Sequence, residues 1–175
     1  MIRIQEDDFD IGAELAALAA GDTSIGSVAT FTGLVRDMAP IDGTAHKITA
    51  MTLEHYPGMT EKKLAEIETE ANTRWPLAAS LIIHRYGKLL PGDQIVFVAC
   101  ASAHRQAAFD ACQFLMDWLK TDAPFWKLED TDTGGIWVET RDSDDRAKSR
   151  WTERPDIRAR YSAATASTRP FTKSS

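Results

Sequence analysis

Cysteine is scarce in this chain. There are two among 175 residues: Cys100 in an apolar strand-like run and Cys112 on the apolar side of a helical pattern. Such thiols read as buried and reduced, as in a cytoplasmic protein. No CxxC and no Cys/His cluster has metal-ligand spacing, so neither a zinc nor an iron site is expected. A positive charge excess is also missing: 20 Lys and Arg stand against 26 Asp and Glu, a net charge of −6. That argues against nucleic-acid binding through bulk charge. No apolar run approaches the ~20 residues of a membrane span. The opening Met1-Ile2-Arg3-Ile4-Gln5-Glu6 has no signal-peptide character. Internal repeats, a P-loop, GxGxxG and GxSxG are absent, so no cofactor is implied by motif.

What is present suits one domain over residues 1–151, followed by a polar tail, residues 152–175, rich in Ser, Thr and Arg and expected to be flexible. Ile2 and Ile4 alternate with polar residues as in a strand. Asp10 is placed to cap a helix that stops near Gly21. Residues 25–35 read as a strand in which Gly33 marks a bulge or a close backbone approach. Residues 37–45 read as a mobile loop, and residues 46–54 as the second strand of that pair. A helix follows, with Thr60 as its cap. The nearly all-apolar run 94–101 predicts a central strand. A helix over 103–120 carries Ala107, Ala108, Ala111, Cys112, Leu115, Trp118 and Leu119 on one stripe. Residues 125–130 and 136–140 predict a hairpin, and the charged residues 142–150 a short helix. Helices and strands mix without regular βαβ alternation, which predicts an α+β fold with a mixed, largely antiparallel sheet.

Chemistry concentrates on that last long helix and its exit. Ser102 is positioned as its cap, which puts His104 and Arg105 in the first turn, where free N–H groups and the positive dipole end favour an anion. Lys120 closes the helix, and Lys127 lies beyond an Ala-Pro-Phe-Trp turn, on the same strand face as Phe125 and Glu129. Arg36, at a strand end just after Gly33, is a further candidate clamp for an anion. Cations gathered against the global charge point to an anionic ligand. One constraint intervenes: His104 and Lys120 lie ~24 Å apart on an unbroken helix. Either the helix breaks, or there are two sites, or a two-fold dimer joins the start of one helix to the end of another.

Several ordered blocks are similar to one family. They are Thr30-Phe31-Thr32-Gly33 with Val35-Arg36; Leu53-Glu54-His55-Tyr56-Pro57-Gly58-Met59; Pro91-Gly92-Asp93; Ser102-Ala103-His104-Arg105; and the segment from Lys120 to Lys127. Together they resemble the catalytic large subunit of molybdopterin synthase, from about residue 25 to Trp151. The resemblance implies an α/β-hammerhead fold and a sulfurtransferase of molybdenum cofactor biosynthesis. It implies cyclic pyranopterin monophosphate as substrate, converted to the dithiolene of molybdopterin. The sulfur donor would be a small ubiquitin-like partner subunit with a C-terminal thiocarboxylate, bound to a homodimer within a heterotetramer. By matching positions, Lys120 and Lys127 are the catalytic pair. Arg36, His104 and Arg105 belong to the substrate site, with Leu34, Val35, Leu128 and Glu129 close by, and Arg141 joins from the neighbouring subunit. Leu34 and Leu128 stand where family members often carry a basic residue, which thins the positive field there.

Overall fold

Apolar alternation at the start of the chain forms strand β1 (Ile2–Gln5), and Asp10 caps helix α1 (Ile11–Ala19) by accepting the Ala13 N–H at 2.9 Å. The computed structural model describes residues 1–41, 44–131, 134–138 and 149–151. Next come β2 (Ser27–Leu34), β3 (Met38–Ile41) and β4 (Thr44–His55), then α2 (Met59–Arg74). Strands β5 (Leu77–Arg85), β6 (Gly87–Leu89) and β7 (Gln94–Ser102) precede α3 (Arg105–Thr121). The hairpin β8 (Phe125–Thr131) and β9 (Gly134–Val138) follows. The expected α+β class holds, with a single parallel strand pair, β1 with β5, among the described residues. The expected short helix over 142–150 and the tail lie almost wholly outside the described residues.

The strands form two sheets. The first has the order β1-β5-β7-β2, so β7 is central as its apolar run predicts. Both faces of this sheet are covered. Ile82, Val96, Val98 and Cys100 pack toward α2 and α3 with Leu64, Phe114 and Leu115. Leu81, Ile83, Phe97 and Ala99 pack on the other side with Phe9 and α1. A strand covered on both faces needs apolar residues at consecutive positions, which is why β7 lacks alternation. Trp75, Phe114 and Trp151 meet with ring centroids 5.2–5.6 Å apart and close the larger core. Each large side chain buried there contributes ~1.5–3 kcal/mol.

The second sheet joins β3, β4, β8 and β9, with β6 also on β4. Two expectations are corrected here. Residues 38–41 are not loop but an edge strand paired with β4, and Pro40, lacking an N–H, is tolerated at such an edge. Strand β4 does not pair with β2: its partners are β3, β6 and β8. The cap of α2 also shifts. Gly58, at φ +83°, is the N-cap, and its N–H donates to Glu61 at 2.6 Å, while Thr60 lies buried inside the helix. The bulge expected at Gly33 is present, and an added Cβ there would meet Val96 at 2.8 Å.

His84 of β5 and Phe125 of β8 tie the sheets together, stacked with centroids 3.7 Å apart and planes 15° apart. Burial holds the His84 imidazole down from 6.5 to about 4, helped by nearby His55 and opposed by the hydrogen bond to the Arg85 carbonyl. The carbonyl can only accept, so Nδ1 carries the proton at 2.9 Å. Because the folded value lies below the unfolded one, the unfolded chain takes up the proton first. Stability is therefore complete above pH 6.5 and falls as pH drops toward 4, by about 3 kcal/mol in all. Urea midpoints at pH 7 and pH 4.5 are expected to show this loss in the wild type and a smaller one in His84→Phe. An equal loss in both would reject His84 as its source.

Candidate functional site

Helix α3 begins later than its sequence suggests. Ser102 is not the cap. It belongs to β7, is fully buried, and its hydroxyl donates to the Pro76 carbonyl at 2.9 Å while accepting the His104 N–H at 3.2 Å. His104 is the N-cap, without a side-chain capping bond, and Arg105 is the first helical residue. Gly26 holds this corner close: an added Cβ would lie 2.5 Å from the Ala103 carbonyl oxygen. That role is not visible in the sequence, where Gly26 is one of several glycines. Arg105 is exposed and makes no ion pair among the described residues. A helix start of this kind, with a forked cation beside it, suits a phosphate or carboxylate.

The helix then runs unbroken to Thr121, so His104 and Lys120 remain ~24 Å apart and cannot share one pocket within a chain. Lys120 is exposed and also lacks an ion pair among the described residues. It stands at one end of a groove of about 370 Å³ between β2 and α3. Ala29, Thr30 and Phe31 form one wall; Phe109, Cys112, Gln113, Met116 and Asp117 form the other. Phe109, off the apolar stripe of α3 and 61% exposed, is the sequence signal for this groove. The stripe itself holds, widened by the buried Phe114 and Met116. Cys100 and Cys112 are buried free thiols, and their mutual hydrogen bond, followed by burial, pushes the Cys100 thiol far above its ordinary range.

Lys127 differs from Lys120. It lies on the inner face of β8, opposite Leu53 of β4, and its Nζ pairs with Glu129 at 2.5 Å. The Glu129 side chain is only 4% exposed, against 31% for Lys127. Period two puts both on one face, as the sequence indicates, beside the small core of Met51, Leu53 and Leu89. Leu128 points to the opposite face and sits in the ladder between Thr52 and Trp137. Arg36 lines a shallow depression with Val35, Asp37, Met38, Pro91 and Gly92. Val35 is buried, its N–H donating to the Asp93 carbonyl at 2.9 Å and its carbonyl accepting the Gly92 N–H at 2.8 Å. Leu34 beside it is 53% exposed. Arg141 lies outside the described residues.

This arrangement defines an α+β protein with an anion-suited helix start, a lysine at a groove end with no ion pair among the described residues, and a second lysine held by a buried carboxylate. A family model described as MoaE protein matches residues 4–122. A Pseudomonas aeruginosa molybdopterin synthase catalytic subunit is 59% identical over 152 residues, covering 87% of this chain and 99% of its own. Its Ralstonia nicotianae counterpart is 58% identical over 150 residues, covering 86% and 83%. The solved molybdopterin biosynthesis MoaE protein of Burkholderia ambifaria superposes with a TM-score of 0.74 at 52% identity, covering 88% and 99%. The chain belongs to the MoaE protein family.

The two lysines are expected to separate in a stability measurement. Lys127→Ala strands the Glu129 carboxylate in the core and costs about 1–3 kcal/mol, discounted for the partial exposure of Lys127. Lys120→Ala removes an exposed side chain with no ion pair among the described residues and stays within about 0.5 kcal/mol. Urea denaturation of both variants checks this, and equal losses would contradict the difference in pairing.

Proposed function

We propose that this protein is a molybdopterin synthase catalytic subunit. It transfers sulfur from the C-terminal thiocarboxylate of a small ubiquitin-like subunit to cyclic pyranopterin monophosphate, forming the dithiolene. The observation that carries this reading is the Lys120 amine, without an ion pair among the described residues, at the end of the β2–α3 groove and five residues before the start of β8, the strand that holds Lys127. Family membership supports it. The absence of bulk positive charge and the two buried free cysteines accord with a cytoplasmic enzyme.

The chemistry follows from the residues. In each of two successive transfers, a thiocarboxylate sulfur bonds to a side-chain carbon of the pterin as the C–O bond at that carbon breaks and the oxygen leaves with a proton, so the carrier is joined through a thioester. Water then adds to the acyl carbon, the C–S bond breaks, sulfur stays on the pterin, and the carrier departs as a carboxylate. An ammonium near that carbon stabilises the tetrahedral oxyanion, a role suited to Lys120. Lys127, oriented by Glu129, supplies a second cation and a proton route. Arg36, Arg105 and the start of α3 hold the phosphate, with His104 beside them. Since the two ends of α3 stand ~24 Å apart, each complete site takes Lys120 and Lys127 from one subunit and His104 and Arg105 from its partner in a homodimer. The small subunits complete a heterotetramer.

The direct assay mixes the protein with thiocarboxylated small subunit and the cyclic pterin. Dithiolene formation is expected, and its absence defeats the reading. Lys120→Ala is expected to lower kcat about 100-fold or more. Arg105→Ala and Lys120→Ala, each inactive alone, are expected to regain about a quarter of wild-type activity after mixing and subunit exchange, because half of the dimers then hold one intact site. No recovery after verified exchange would reject a site shared between subunits.

A further inference from the structure

The two lysines ride on different parts of the molecule. Lys120 belongs to α3, whose Leu115 and Leu119 are packed in the core of the first sheet. Lys127 belongs to β8 of the second sheet. Only residues 122–124 separate helix from strand. Local hydrogen bonds fix part of this short connection. The Asp122 N–H donates to the Trp118 carbonyl at 2.8 Å, and the Phe125 N–H closes a tight turn on the Ala123 carbonyl at 2.8 Å. The Thr60 hydroxyl reaches the Pro124 carbonyl only at 3.4 Å.

The Phe125 ring fastens the start of β8 to the first sheet, alongside Ile95 of β7, which packs on the small core of the second sheet, and Tyr86, which alone separates β5 from β6. The ring projects from the first residue of β8, on the face that carries Lys127 two residues later, and lies flat on His84. His84 is itself immobilised. Its backbone is paired with Ile4 on one side and Val96 on the other, and its ring donates to the Arg85 carbonyl. His55 lies opposite Phe125 in the ladder, with its ring 6.2 Å from Phe125 and 4.6 Å from Tyr86. The stack thus sits where the sheet carrying α3 meets the strand carrying Lys127.

We infer that His84 is a positioning residue for sulfur transfer: its ring, stacked on Phe125, sets the distance between Lys120 and Lys127. This rests on the catalytic reading of the two lysines. The requirement is for a flat ring, not for a titrating one. Any planar aromatic of similar size therefore serves at position 84, whereas an aliphatic residue of similar volume does not.

The test compares His84→Phe, His84→Leu and His84→Ala in the complete enzyme with its thiocarboxylated small subunit. His84→Leu is expected to lower kcat about 10- to 100-fold with KM for the pterin within about twofold, because the phosphate-holding residues lie elsewhere. His84→Phe is expected to recover to within about threefold of wild type. Wild-type kcat in a folded His84→Leu enzyme overturns the inference, as does His84→Phe as impaired as His84→Leu. If His84→Ala does not fold, the Phe and Leu variants decide alone. A second readout separates this inference from the functional reading: labelling of Lys120 and Lys127 by an amine reagent, followed by mass spectrometry. Their labelling ratio is expected to change in His84→Leu and return in His84→Phe whether or not dithiolene forms. An unchanged ratio in His84→Leu rejects the positioning role, whereas a wild type that makes no dithiolene rejects the function.

Discussion

An α-helix advances ~1.5 Å per residue, and α3 runs for 17 residues without interruption. Its length separates a cationic start from a lysine-bearing exit by more than any small substrate spans. The remainder of the structure keeps that helix straight and fixed. Its broad apolar stripe, with Phe114, Leu115 and Leu119 fully or almost fully buried, is pressed onto the first sheet beside α2. A bend that brought His104 toward Lys120 would have to open that core, at a cost of several buried side chains of ~1.5–3 kcal/mol each. Two subunits exchanging helix ends meet the same chemical need without such a cost.

The two lysines show how environment divides labour between like residues. Lys127 has a partner chosen for it by the strand: Glu129, almost fully buried and on the same face. Burying a carboxylate is costly unless a cation stands beside it, so this pair is held in one geometry. Lys120 has no such partner among the described residues and faces an open groove. A held cation and an available one are different tools, and the sulfur transfer proposed above, which develops negative charge while moving protons, calls on both. The junction of the sheets, where His84 meets Phe125, joins the layers from which the two lysines project.

Much of this was legible in the sequence, and the parts that were not have identifiable causes. The apolar run of β7 announced a strand covered on both faces, and the i, i+2 spacing of Lys127 and Glu129 announced a shared face. The length of α3 followed from its stripe. Strand partnership did not follow, because alternation tells which face of β4 is buried and not which strand lies beside it. Residues 38–41 read as loop because Pro40 and nearby polar residues are turn formers, and only the pairing with β4 makes an edge strand of them. Ser102 looked like a cap because of its residue type; the Pro76 carbonyl, 26 positions earlier in the chain, claims its hydroxyl. The His84–Phe125 stack joins residues 41 positions apart on different sheets, a contact that no local pattern encodes.

The central claim is that the start of one α3 completes the site at the end of another. The most direct measurement places Arg105→Cys in one set of subunits and Lys120→Cys in a second set, with Cys100 and Cys112 replaced by alanine in both. After subunit exchange, the assembled protein is treated with a bis-maleimide spanning less than half of the helix's ~24 Å. The expected result is a covalent dimer whose peptide map links position 105 of one subunit to position 120 of the other. A verified mixed dimer that yields no such link would contradict a shared site.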